Sequence, residues 1–182
     1  MGLRDRHLFK DQKCFFVTTT CNGHLHLFRS HSYFLILANS IEFLNLKYKS
    51  DILAYVFMPN HIHLIVYFKE ENMLSEYMRD FKKYTAFRIR KEIESDGNTA
   101  LLENLRVSNG KQIFKIWMDR FDDVFLETPS VLETKLDYIH FNPTKKNLCS
   151  DPTDYLYSSA FFYENDLQNN FPLEVIHYKK YF

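Results

Sequence analysis

Residues 51–68, DILAYVFMPNHIHLIVYF, set two apolar, strand-like runs on either side of Pro59-Asn60, and this pattern constrains the fold more than any other part of the chain. Runs rich in aromatic and β-branched residues, separated by a proline and an asparagine, predict two strands over 51–58 and 61–68 joined by a tight antiparallel connection. Two histidines interrupt the second run. Alternation puts His61, His63 and Ile65 on one face and Ile62, Leu64 and Val66 on the other, with about 6.6 Å between the histidine Cα atoms. Two imidazoles on one face at that spacing can converge on a divalent cation; the other reading gives each its own hydrogen-bond partner in a half-buried setting.

The remaining periodicity surrounds this hairpin with further elements. KCFFVTTTC at 13–21 predicts a first strand ending near Asn22-Gly23, and the spacing of Phe34, Leu35, Leu37, Ile41, Leu44 and Leu46 predicts a helix from His31 to about Lys49. Leu74, Tyr77, Met78, Phe81, Tyr84 and Thr85 recur at helical spacing within 73–95. Residues 96–111 show no sustained pattern and are expected to be an irregular excursion, while 113–127 carries a mixed period that allows one more strand. SVLETKLDYIHFN at 130–142 predicts a short helix stopped by Pro143, followed by short helices and a C-terminal tail.

With 182 residues, 46% of them hydrophobic and 17% aromatic, the chain can bury a substantial core, and one domain spanning 1–182 is expected. The 23 basic residues balance the 23 acidic ones, so any polyanion site must be a local patch. Three cysteines without CxxC spacing argue against a disulfide framework and a thiolate zinc site. The N-terminal MGLRDRHLFKDQK is charged, and the most apolar window, 33–44, is too short and too polar to span a bilayer, so the expected location is cytoplasmic with no membrane partner.

Three further features qualify as candidate site elements. Arg79, Lys82, Lys83 and Arg90 form a basic stripe on the 73–95 helix, read either as a solvated face or as a polyanion track. Tyr138 and Asn142, four residues apart, share a helix face with Lys135 next to the apolar stripe Leu132, Leu136 and Ile139, which would hold them at the rim of a pocket. His24 and His26 repeat the HxH spacing after the presumed Asn22-Gly23 turn. With no second candidate ligand nearby in sequence, they are expected to be solvent-exposed or locally hydrogen-bonded.

In order along the chain, MPNHIHLIV at 58–66, DFKKYT at 80–85, LDYIHFNPTKKNL at 136–148 and YLYSSA at 155–160 resemble the HUH single-tyrosine transposase family, in particular its IS200-like and REP-associated tyrosine transposase branch. The resemblance runs from FFVTTT at 15–20 to Ser159. It implies an α+β fold with a ferredoxin-like, or RRM-like, antiparallel sheet and helices packed on one face. It also implies a DNA transposase that cleaves and rejoins single-stranded, hairpin-forming element ends of a bacterial nucleoid with Mg²⁺ or Mn²⁺.

Carried over by motif, Tyr138 is the nucleophile and His61, His63 and Asn142 the metal ligands. The stripe Arg79, Lys82, Lys83 and Arg90, with Lys135, Lys145 and Lys146, becomes a candidate DNA track. Relatives complete the site within one chain or exchange the tyrosine helix between two, so a homodimer is among the expected states. The chain departs from the pattern at Asn147, where a glycine is common; asparagine tolerates the left-handed conformation such a turn needs. The alternative reading is a non-catalytic, RRM-like module that binds single-stranded nucleic acid through stacked aromatics. A water-activating metal hydrolase has less support, lacking a carboxylate base next to His61 and His63.

Overall fold

The predicted hairpin is the spine of the sheet. In the computed structural model, which describes residues 12–107 and 113–182, β2 (Ser50–Met58) and β3 (His61–Phe68) pair antiparallel across Pro59-Asn60, with Met58 opposite His61. β1 (Cys14–Thr20) pairs with the other edge of β3, placing Thr18 opposite His63 and Thr20 opposite His61. The short β4 (Asp122–Phe125) pairs antiparallel with β1 and completes the order β2-β3-β1-β4. Helix α1 (His31–Tyr48) links β1 to β2, and α2 (Leu74–Ser95) follows β3. This α+β, ferredoxin-like arrangement agrees with the sequence expectation.

Alternation along the strands sorts their side chains between two cores. Phe15, Val17, Tyr55, Phe57, Ile62, Leu64 and Val66 face α1 and α2, packing with Leu37, Ile41, Tyr77 and Phe81. The opposite face carries Cys14, Phe16, Ala54, Val56, Met58 and Ile65, and here the structure adds a layer to the expected one. Helix α4 (Pro129–His140) lays Leu132, Leu136 and Ile139 on it. Each such fully buried aliphatic side chain contributes about 1.5–3 kcal/mol relative to exposure, enough for three of them to hold a twelve-residue helix in one place.

Thr128 caps α4, its hydroxyl accepting from the Val131 amide at 3.4 Å, and Pro129 occupies the first turn where no amide hydrogen is needed. The helix ends at His140 rather than at Asn142, with Phe141 as its C-cap; Asn142 instead begins the single turn α5 (Asn142–Lys145). Asn147, which stands where glycine is common, has φ +55°, so the left-handed turn is kept.

The described part of the 96–111 excursion is not irregular: α3 (Thr99–Leu105) starts at Asn98, whose side chain accepts from the Leu101 amide at 3.1 Å. Its residues 108–111, and residues 1–11 of the charged N-terminal stretch, lie outside the described residues. Between 113 and 127 the mixed period resolves into isolated bridges, Arg106 with Phe114 and Cys21 with Trp117, before the four residues of β4. Trp117 is turned inward, donating its indole N–H to Thr85 Oγ1 at 2.9 Å. Among the described residues no helix is long and apolar enough to cross a membrane.

Segment 155–159 covers the outer edge of β2. Phe57 donates to Tyr157 O at 2.9 Å, Ser159 donates to Tyr55 O at 3.0 Å, and Val56 bridges Ser158. Covering an edge this way removes a row of unpaired backbone groups that would otherwise template aggregation. The Ser159 hydroxyl also accepts from the Tyr55 amide at 3.0 Å and meets His140 Nε2 at 2.9 Å, so a buried polar link ties the end of α4 to the sheet.

Burial holds the His140 imidazole down at about 4, against an ordinary value of 6.5. The neutral form is therefore favoured on folding, and stability fully present above pH 6.5 is lost as pH falls towards 4. Denaturant melts of the metal-free protein are expected to weaken across that window. The His140→Gln variant, which keeps a hydrogen-bonding partner for Ser159, should recover up to about 3 kcal/mol of the slope.

Candidate active site

Strand alternation delivers His61 and His63 to the α4 side of the sheet, their ring centroids 4.7 Å apart. Each ring is oriented from behind through Nδ1. His61 Nδ1 lies 2.6 Å from the Asn60 side-chain oxygen, which can only accept, so the proton sits on Nδ1 and the lone pair on Nε2. His63 Nδ1 lies 2.8 Å from Thr18 Oγ1, the residue that the β1–β3 register sets opposite it. The Asn142 amide nitrogen donates to His63 Nε2 at 3.3 Å, which likewise marks that atom as the lone-pair side. Phe16 stacks on the His63 ring at 5.3 Å and 21°.

Both imidazoles are held uncharged. Burial lowers His61 to about 4, helped by the positive charges of Lys146, His24 and His26. Burial lowers His63 to about 3, with further contributions from His61 and Lys135. Neutral imidazole is the metal-binding form, and a hydrogen bond at the other ring nitrogen fixes its tautomer and aims its lone pair.

Asn142 is 6% exposed, and its Oδ1 is buried without a hydrogen-bond partner. An orphaned amide oxygen costs about 1–3 kcal/mol unless something accepts its lone pairs. Two nitrogen lone pairs and one such oxygen fit a divalent cation and leave it with its full charge. Among the described residues no three His, Cys, Asp or Glu side chains gather as a metal cluster, so an amide is the third protein donor this site can supply.

Tyr138 stands over the pair. Its ring lies 5.1 Å from that of His63 and meets Phe16 edge-on at 5.8 Å, with 43% of the residue exposed. The Lys135 and Lys145 ammonium groups each lie 5.9 Å from the centre of the Tyr138 ring. A cleft of about 540 Å³ opens in front, lined by Thr18, Thr20, Asn60, His61, His63, Tyr138 and Lys146 among others. The tyrosine, both histidines and the asparagine singled out in the sequence thus meet within one chain, together with Lys135, Lys145 and Lys146.

Two groups singled out in the sequence lie elsewhere than their spacing suggests. The basic stripe on α2 does not extend this site, because α2 packs against the opposite face of the sheet. Lys82 spends its ammonium on the Met118 and Asp119 carbonyls at 2.5 and 2.9 Å, Arg79 pairs with Asp80 and Arg90 with Glu94, and Lys83 is exposed on the same far side. The second HxH pair, in turn, is exposed as expected but not remote: His24 and His26 line the same cleft, because the loop that carries them folds back on the Pro59-Asn60 turn.

Thr18, Asn60 and Phe16 were missed. Asn60 adjoins the HxH in sequence and could have been suspected, whereas Thr18 and Phe16 depend on strand register.

The family model of the IS200-like transposases matches residues 17–104, which include His61 and His63 and stop short of Tyr138. Among solved structures, that of the REP-associated tyrosine transposase bound to a REP hairpin is similar, with a TM-score of 0.65 and 20% identity over 92% of this chain and 88% of that one. A Deinococcus radiodurans R1 protein provisionally assigned as a transposase aligns at a TM-score of 0.46 and 10% identity, over 76% of this chain and 95% of that one. No curated protein matches the chain. The first of these structures carries the fold comparison.

Removing an orienting group should loosen the donor set without altering the donors. Thr18→Val and Asn60→Ala are each expected to weaken Mn²⁺ binding by about 10- to 100-fold in titration calorimetry. Lys82→Ala, on the far side of the sheet, should leave that affinity unchanged.

Proposed function

Because residues 17–104 match the family model of the IS200-like transposases, we propose that this chain cleaves and rejoins single-stranded DNA at hairpin-forming ends through a 5′-phosphotyrosyl link on Tyr138, with Mg²⁺ or Mn²⁺ held by His61, His63 and Asn142. The observation that carries this reading is the edge-on packing of a half-exposed tyrosine, ring centres 5.1 Å apart, against the more buried of two oriented, neutral imidazoles.

A phosphodiester repels an incoming oxygen, so the reaction needs positive charge at the phosphate and a nucleophile already aligned. When bound, the cation supplies Lewis-acid polarisation of a non-bridging phosphate oxygen. Tyr138 supplies the nucleophilic oxygen, and Phe16 restricts where its ring sits. Lys135 and Lys145 flank that ring and offset the negative charge that gathers as the phenol proton leaves and the phosphorus is attacked. The phenol is a good leaving group in the reverse direction because its ordinary pKa, near 10, lies well below that of an aliphatic alcohol, so the strand can be rejoined without ATP.

Lys146, exposed at the cleft, and Lys145, exposed beside the Tyr138 ring, suit the backbone of the strand that enters it. On this reading residues 1–182 act as one domain in the cytoplasm. A homodimer would bring two DNA ends together rather than complete the site, since Tyr138 and His63 meet within one chain.

Incubation with hairpin-bearing single-stranded DNA and Mg²⁺ or Mn²⁺, followed by a denaturing gel, should give a covalent protein–DNA band. The band should disappear with chelator and in Tyr138→Phe and fall by at least about 100-fold in His63→Ala. A band that persists in Tyr138→Phe would sink the nucleophile assignment.

A further inference from the structure

The cleft contains a second pair of imidazoles that the reaction above leaves unused. His24 and His26 follow β1, and the loop carrying them is fastened to the turn before His61. Cys21 donates to Asn60 O at 2.8 Å, Phe28 to Pro59 O at 2.9 Å, and the Asn60 side chain to His24 O at 3.4 Å. Gly23 and His24 are both left-handed, with φ of +63° and +56°. Both histidine side chains are exposed and line the cleft, near enough to His61 for their charge to bear on it.

Their position along the sheet is informative. Tyr138 packs on Phe16 and His63, while the loop docks at the other end of the pair, beyond His61 and Thr20. A phosphate held before His61 and His63 therefore has the tyrosine on one side and His24 and His26 on the other. In-line displacement sends the departing oxygen away from the nucleophile, which is towards the second pair. That oxygen leaves as an aliphatic alkoxide and needs a proton.

Among the described residues lining the cleft there is no carboxylic acid. The titratable groups are His24, His26, His61, His63, Tyr138 and Lys146; His61 and His63 are committed through both ring nitrogens or kept uncharged, and Tyr138 is the nucleophile. Nor do the four histidines gather into a second metal centre.

We infer that His24 and His26 form the leaving-group side of the site, an inference that rests on the strand-transfer reading above. As Tyr138 Oη bonds to phosphorus and releases its phenolic proton to solvent, the P–O3′ bond breaks, its electron pair stays on O3′, and an imidazolium of this pair protonates that oxygen. In rejoining, the same imidazole, now neutral, takes the proton from the 3′-OH as its oxygen attacks phosphorus, the P–Oη bond breaks with its electron pair on Tyr138, and the phenolate regains a proton from solvent. One group thus serves as acid in cleavage and base in strand transfer.

The test compares single-turnover adduct formation on an ordinary scissile phosphodiester with that on the same DNA carrying a 3′-bridging sulfur, whose thiolate leaves without a proton. His24→Asn suits the left-handed backbone there better than alanine, and it is combined with His26→Ala. The double variant is expected to lose about 100-fold or more on the ordinary substrate, to bind uncleaved DNA as the wild type does, and to react with the sulfur-bridged DNA at close to the wild-type rate. An equal loss on both substrates, or no loss on either, overturns the inference. If the wild-type protein itself forms no Tyr138-dependent adduct, the strand-transfer reading has failed and the inference falls with it.

Discussion

The hydrogen bond between Thr18 Oγ1 and His63 Nδ1 depends on a single choice of register between β1 and β3, and the rest of the site depends on it. A one-residue slip of β1 would turn every side chain of that strand to the opposite face. Thr18 and Phe16 would then enter the α1–α2 core, and His63 would lose both the partner of its Nδ1 and the ring that stacks on it. The register is secured by apolar burial: Phe15 and Val17 are almost wholly buried on one face and Cys14 and Phe16 on the other, so a slip would move four large or medium side chains at once. Ring orientation at the centre of the cleft is thus inherited from packing in two cores.

The sheet also divides the charge of the molecule. Its α1–α2 side carries a basic stripe that is largely neutralised by neighbouring acids and carbonyls. On its α4 side, Lys135, Lys145 and Lys146 stand around Tyr138 and His61. A chain with 23 positive and 23 negative side chains can therefore present a locally positive cleft without a large net field. The same cations help to keep His61 and His63 uncharged, so one arrangement serves both the attraction of a phosphate and the donor state of the imidazoles.

Much of this was legible in the sequence where a local pattern carries the information. The hairpin, α1, α2 and the body of α4 follow from periodicity and from proline and asparagine at the turn. Four of the residues at the centre of the cleft, His61, His63, Tyr138 and Asn142, came from ordered motifs far apart in the chain. What could not be read depends on relations that are not local. Thr18 is one of three successive threonines, and only pairing with β3 selects it. That the α2 stripe lies across the sheet from the cleft could not be read either, because helical periodicity reveals which side chains share a face but not which side of the sheet the helix covers. His24 and His26 seemed isolated because the backbone bonds that return their loop to Asn60 have no sequence signal.

The buried link from His140 through Ser159 to Tyr55 has a further implication for how chains of this kind are compared. His140 lies midway between Tyr138 and Asn142, and its partner comes from a segment that also seals the edge of β2. A premature stop between Asn147 and Tyr155 would leave every motif residue of the cleft encoded. The product would nevertheless have a bare sheet edge and a tyrosine helix without its buried polar tether. Intact cleft residues in a shortened copy of such a gene would thus overstate its competence, because part of what positions the nucleophile is written downstream of the nucleophile and of the residues beside it.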